Sequence, residues 1–186
     1  MEPVCPLDYR YGREEVKEIF GEKRRLQFLL DVEAALARAH AKIGNIPQNA
    51  ADEISKKASV EYVKVDRVKE IESETKHDIM AVTRALSEVC SGDAGKYIHL
   101  GATSYDIQDT VRGLQLKESK QQILKALQQA IEFSKELTSK YKDLACIGRT
   151  HGIHAIPTTY GMKFGNFLNE LLLAKETLEQ VKVDFG

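Results

Sequence analysis

Apolar residues recur three or four positions apart along most of this chain. Between Arg13 and Ile43 they include Val16, Ile19, Phe20, Leu26, Leu29, Leu30, Val32, Leu36 and Ile43, the spacing of one helix face. Gly44 then fits a left-handed residue just past a helix end, and Pro47 fits the first position of the next helix. That short helix holds Ile54 and ends near Ala58. Val65, Val68 and Ile71 predict another, and Ile79 to Val89 a third that closes at Ser91-Gly92-Asp93. Gly92 to Gly101 reads as loop, with Ile98 and Leu100 buried at its end. Thr103-Ser104-Tyr105-Asp106 then places an acid three positions after a hydroxyl residue, a helix-start pattern. Behind it Ile107, Val111, Leu114, Leu124, Leu127, Ile131, Leu137 and Tyr141 keep the helical rhythm.

The 34 residues from Leu114 to Ile147 contain neither Gly nor Pro. A fully helical stretch of that length is about 50 Å long. It needs partner helices, from later in the chain or from other subunits. Gly148 to Pro157 breaks the pattern. A second long helix runs from about Thr158, with Met162, Phe164, Phe167, Leu168, Leu171, Leu172, Leu178 and Val181 on its apolar positions. The chain stops at Gly186 while its longest helices still lack packing partners, so a truncated chain is expected. The pattern predicts an all-α fold: a small N-terminal helical domain over residues 1–102, then the first long helices of a central helical bundle over 103–186.

Composition narrows the partners. The chain has 186 residues, with 42% hydrophobic and 30% charged residues and a formal net charge of −1. That balance fits a folded globular protein. It gives no electrostatic case for nucleic acid or for a membrane-surface helix. No apolar run is long enough to span a bilayer, and Met1-Glu2-Pro3-Val4-Cys5 lacks the basic and apolar regions of a signal peptide. The cysteines Cys5, Cys90 and Cys146 are odd in number and have no CxxC spacing, which suits reduced thiols in the cytoplasm. No cofactor motif is present. The five histidines show no HExxH or Cys/His knuckle, so no metal site is expected.

Three polar clusters fall at helix boundaries, where side chains can be aimed into a cleft. Thr75-Lys76-His77-Asp78 supplies a cation, an imidazole and a carboxylate in succession. His99-Leu100-Gly101-Ala102-Thr103-Ser104 sets two hydroxyls at a helix N-terminus, where free N–H groups and the helix dipole favour an anion. Gly148-Arg149-Thr150-His151-Gly152-Ile153-His154 flanks an Arg-Thr-His run with glycines. Arg149 suits a carboxylate or phosphate, and His151 suits proton delivery near neutral pH. At the N-terminus, Arg10-Tyr11-Gly12 precedes the first helix. Taken singly, each cluster also fits a helix cap or a solvated loop. His40, in a helix among alanines, reads as structural.

In their order and spacing, these clusters resemble one family across nearly all of the chain. Arg10-Tyr11, Thr75-Lys76-His77-Asp78-Ile79-Met80-Ala81, Gly101-Ala102-Thr103-Ser104-Tyr105-Asp106 and the run from Gly148 to Thr159 are similar to the successive motifs of the adenylosuccinate lyases. These belong with the argininosuccinate lyases, fumarases, aspartases and a cycloisomerase in one superfamily. Lys76 stands where Arg is frequent, Gly12 where Ser is common and Ile153 where Gln or Val is often found. The resemblance implies β-elimination of fumarate from adenylosuccinate and from the succinyl-carboxamide ribotide of purine biosynthesis, without a cofactor. It implies His151 as general acid. It also implies Thr103 and Ser104 on substrate carboxylates; Thr150 as a further substrate-binding residue; Arg10 and Tyr11 on the phosphate side; and Lys76, His77 and Asp78 lining the substrate. His99 lies close by and is assigned no role.

The family's base is a serine in a Ser-Ser-x-Met-Pro-x-Lys loop. None of Pro3, Pro6, Pro47 and Pro157 follows a Met, so that loop is expected beyond Gly186, and the chain alone is expected to be inactive. The resemblance further implies a cytoplasmic homotetramer when full length. Two other readings stand beside it: a fumarate-releasing lyase of the argininosuccinate type, and a non-catalytic helical interaction module.

Overall fold

A computed structural model describes residues 11–183. Among them the chain forms seven α-helices, one 3₁₀ turn and one two-stranded hairpin. In order these are α1 (Glu14–Phe20), α2 (Glu22–Lys42), α3 (Gln48–Lys57), α4 (Val65–Thr75), α5 (Asp78–Val89), the 3₁₀ turn Ala94–Tyr97, α6 (Ser104–Lys140), β1 (Ala145–Thr150), β2 (Ile153–Thr159) and α7 (Tyr160–Gln180). The all-α class holds, with the hairpin as its one addition. Two compact units divide at Glu118 and Ser119.

In the first unit, α2 buries Leu26, Leu29, Leu30, Ala34 and Ala37 along one stripe. Ile54 of α3, Ile71 of α4, Ile79 and Leu86 of α5, and Ile107 and Val111 from the start of α6 fill the same core. The expected single helix over Arg13–Ile43 is instead two. Gly21 closes α1 and opens α2 with ψ of 148°; glycine costs about 1 kcal/mol against alanine inside a helix, which makes it a natural break. Phe20 is consequently exposed, while Ile19 stays in the core. Gly44, with φ of +80°, ends α2 as its position predicts. Pro47 precedes α3 rather than occupying its first position. Leu100, expected to be buried, is exposed, whereas Ile98 packs against the core. Burial pushes the Cys90 thiol up to about 11, which leaves it protonated and unreactive at neutral pH.

In the second unit the Gly/Pro-free stretch does not stay helical to Ile147. Helix α6 ends at Lys140, and β1 begins at Ala145. Antiparallel pairing runs from Ala145 with Thr159 to Thr150 with Ile153, with an irregularity beside Gly148. A Cβ at Gly148 would come within 2.8 Å of the Ile156 carbonyl oxygen, so glycine lets the strands approach there. Helix α7 starts tightly against the end of α6: the Gly161 N–H donates to the Tyr141 carbonyl at 2.8 Å. Ile131 is buried, and Tyr141 packs beside Phe164 with ring centroids 6.1 Å apart. Phe133, Ile153, Ile156, Phe167 and Leu173 remain exposed. Among the described residues no helix is long and apolar enough to cross a membrane.

Candidate active site

Within the first unit, two of the three polar clusters meet. His77 caps α5 through its ring, whose Nδ1 accepts from the Met80 N–H at 3.2 Å. A neutral imidazole that accepts at Nδ1 carries its proton on Nε2. That nitrogen lies 3.5 Å from the Ser104 hydroxyl, at the outer limit of hydrogen bonding. Ser104 is the first residue of α6. The contact therefore brings the N-termini of a 12-residue and a 37-residue helix to one point. Each contributes the positive end of its dipole. The helix-start pattern at Thr103 is realised from the acidic side: Asp106 Oδ2 accepts from the Thr103 N–H at 2.8 Å.

Asp78 is engaged internally. Its Oδ1 accepts from the Ile79 N–H at 2.8 Å, its Oδ2 from the Gln108 amide at 3.1 Å, and Arg25 stands 3.7 Å away. It thus ties α5 to α6 and α2, and it lines with Arg25 a cavity of about 100 Å³. Such a cavity is too small for a nucleotide, since ligand sites usually measure about 300–1,000 Å³. Lys76 closes α4 in the left-handed region with φ of 54°, and its side chain forms no ion pair among the described residues. Tyr11 is 59% exposed. Arg10 lies outside the described residues.

Thr150 and His151 belong to the second unit, where the expected loop proves to be the turn of the hairpin. Thr150 pairs with Ile153, which leaves His151 and Gly152 as a two-residue turn with φ of 53° and 77°. Two successive positive φ values mark the turn type that matches strand twist. His151 is exposed at the tip, and Arg149 stands opposite His154.

One pair escaped the sequence reading. Glu33 of α2 is 1% exposed, and its Oε1 lies 2.7 Å from His99 Nδ1. The clue was present: Glu33 occupies a position on α2 where the stripe of Leu26, Leu29, Leu30 and Ala37 calls for an apolar residue. His99 also has positive φ, at 62°. Lys76, His99 and His151 are the non-glycine residues with positive φ among the described residues, and each falls in one of the three polar clusters. Backbone strain of this kind, costing on the order of 1–3 kcal/mol per residue, concentrates at functional sites.

Known proteins resemble this chain along most of its length. A family described as lyase matches residues 8–184. The adenylosuccinate lyase of Pyrococcus abyssi is 58% identical over 96% of this chain, and that of Methanocaldococcus jannaschii is 51% identical over the same share. The chain spans 40% and 39% of those two relatives' lengths. Among solved structures, a fumarate lyase from a Mesorhizobium species superposes with a TM-score of 0.83 at 31% identity, over 91% of this chain and 41% of that one.

Proposed function

The chain belongs to the lyase family, and from that premise we propose that the polypeptide carrying it releases fumarate by β-elimination from adenylosuccinate and from the succinyl-carboxamide ribotide of purine biosynthesis. The observation that carries this is the meeting of His77 and Ser104 where two helix N-termini converge. A succinyl group brings two carboxylates. The dipoles of the two helix starts, the Ser104 and Thr103 hydroxyls and a proton-bearing His77 Nε2 form a donor-rich cradle for one of them. Lys76 and Asp78 line the substrate with His77, and Asp78 also ties α5 to α6. Arg10 and Tyr11 serve the phosphate side.

The chemistry requires a base to remove the proton beside a carboxylate. Negative charge then builds on that carboxylate, where preorganised donors stabilise the transition state most. The C–N bond breaks, its electron pair leaves on nitrogen, and a general acid protonates that nitrogen. His151 is the acid in this scheme, with Thr150 beside it on the hairpin. The base is a serine supplied from outside this sequence, so residues 1–186 alone do not turn over. The full-length protein works as a cytoplasmic homotetramer that needs no cofactor, its long helices pooled into one bundle and its sites shared between subunits. The domain division proposed is 1–102 and 103–186.

The test is fumarate release by the full-length polypeptide, offered adenylosuccinate and argininosuccinate in parallel. Turnover of adenylosuccinate alone is expected. Turnover of argininosuccinate alone assigns the chain to that branch instead, and turnover of neither, in a folded protein, removes the lyase reading.

A further inference from the structure

Helix α2 holds the loop leading into α6 at two points. Glu33 binds His99, and His40, two helical turns further on, binds the neighbouring residue: its Nε2 lies 2.8 Å from the Leu100 carbonyl oxygen. The Asn45 amide stands 3.0 Å from His40 Nδ1. With Nδ1 accepting from that amide, the His40 ring donates from Nε2, a neutral strut. The Glu33 contact is different, because it places an acid in the core.

The Glu33 oxygen not facing His99, Oε2, is buried and has no hydrogen-bond partner. Among the described residues, Glu33 and His99 form an ion pair with no group but each other. Three protonation states fit a contact of 2.7 Å. In the first, an ionised Glu33 accepts from a neutral ring protonated at Nδ1. The pair then carries one negative charge and Nε2 is bare. In the second, an ionised Glu33 faces an imidazolium. In the third, a protonated Glu33 donates to Nδ1, and the ring proton sits on Nε2. The last two have no net charge, and in both of them Nε2 bears a proton. An uncompensated carboxylate in the interior is strongly disfavoured, and the orphaned Oε2 removes the extra hydrogen bonds that could support one. Burial likewise holds the Glu33 carboxyl above its ordinary range, against the pull of His99.

We propose that Glu33 is a positioning residue: by sharing a proton with Nδ1 of His99, it keeps Nε2 of that ring protonated, so that His99 serves the site as a hydrogen-bond donor to an anionic substrate group and never as the base. This rests on the functional reading above, in which the loop entering α6 lines the substrate site. It explains why a strained histidine is tolerated at position 99, since the buried carboxyl fixes the ring and the backbone follows. It also makes His77 and His99 alike at Nε2, both donors, though one is set by a backbone N–H and the other by an acid.

Imidazole ¹⁵N–¹H correlation spectroscopy on the 186-residue chain, with His99→Gln used for assignment, reads the proton directly and does so whether or not lyase activity is found. A protonated Nε2 on His99 is expected at neutral pH, and a bare Nε2 overturns the proposal. In the full-length enzyme, Glu33→Met should raise KM about tenfold or more, the loss of one charge-assisted contact, while kcat stays within about threefold. Glu33→Gln, which keeps the shape and one hydrogen bond, should recover much of that KM. An unchanged KM in a folded Glu33→Met enzyme overturns the role; where Glu33→Met does not fold, a bare Nε2 on His99 in the parent chain does so.

Discussion

A histidine at φ of 53° followed by glycine at 77° occupies a turn position that asparagine or glycine fills at lower cost. Its side chain is exposed at the tip. The consequence is a trade-off measurable at one position. His151→Gly should stabilise the protein by about 1 kcal/mol, through relief of left-handed strain, while removing the general acid. Thermal or denaturant unfolding of the 186-residue chain reads the first effect; a variant less stable than the parent contradicts the strain argument. At this scale the sequence displayed most of the candidates, because His77, Ser104 and His151 sit at visible helix boundaries or between glycines. Glu33 was overlooked because a single acid on an apolar stripe looks like an exposed residue until the helix is rotated into place.

The elements were legible where spacing and punctuation agreed. Gly44 and the run Thr103 to Asp106 mark their boundaries by backbone chemistry, and Ile54, Ile71, Ile79 and Leu86 entered the core that their spacing predicts. The hairpin was not legible. Its strands are largely exposed, so no buried-exposed alternation marks them, and both Gly148 and Pro157 interrupt them. The end of α6 was hidden for the opposite reason, since no Gly or Pro stands at Tyr141-Lys142-Asp143. What stops the helix there is the approach of α7. A Cβ on Gly161 would lie 2.5 Å from the Lys142 Cα and 2.8 Å from the Thr138 carbonyl oxygen. Gly161→Ala should therefore destabilise the chain by about 1–3 kcal/mol, as overpacking does, because the clash is with backbone that cannot rotate away. A denaturant midpoint equal to that of the parent would show that α6 and α7 can separate at this point at no cost.

For the molecule as a whole, the large apolar side chains left exposed in the second unit, Phe133, Ile153, Ile156, Phe167 and Leu173, are numerous enough to promote association. Sedimentation of the 186-residue chain at tens of micromolar, roughly the range where mass action reveals weak self-association, should show oligomers, and a clean monomer would count against pooled helices in the full-length protein. In the proposed reaction the hairpin tip delivers a proton to the leaving nitrogen, and kcat for fumarate release by full-length His151→Ala tests this most directly. With folding verified, the substitution should lower kcat by roughly 10²–10⁴-fold while substrate still binds. A kcat within about threefold of the parent enzyme, where loss of a general acid costs at least about a hundredfold, would contradict the account and move the role to His77 or His154.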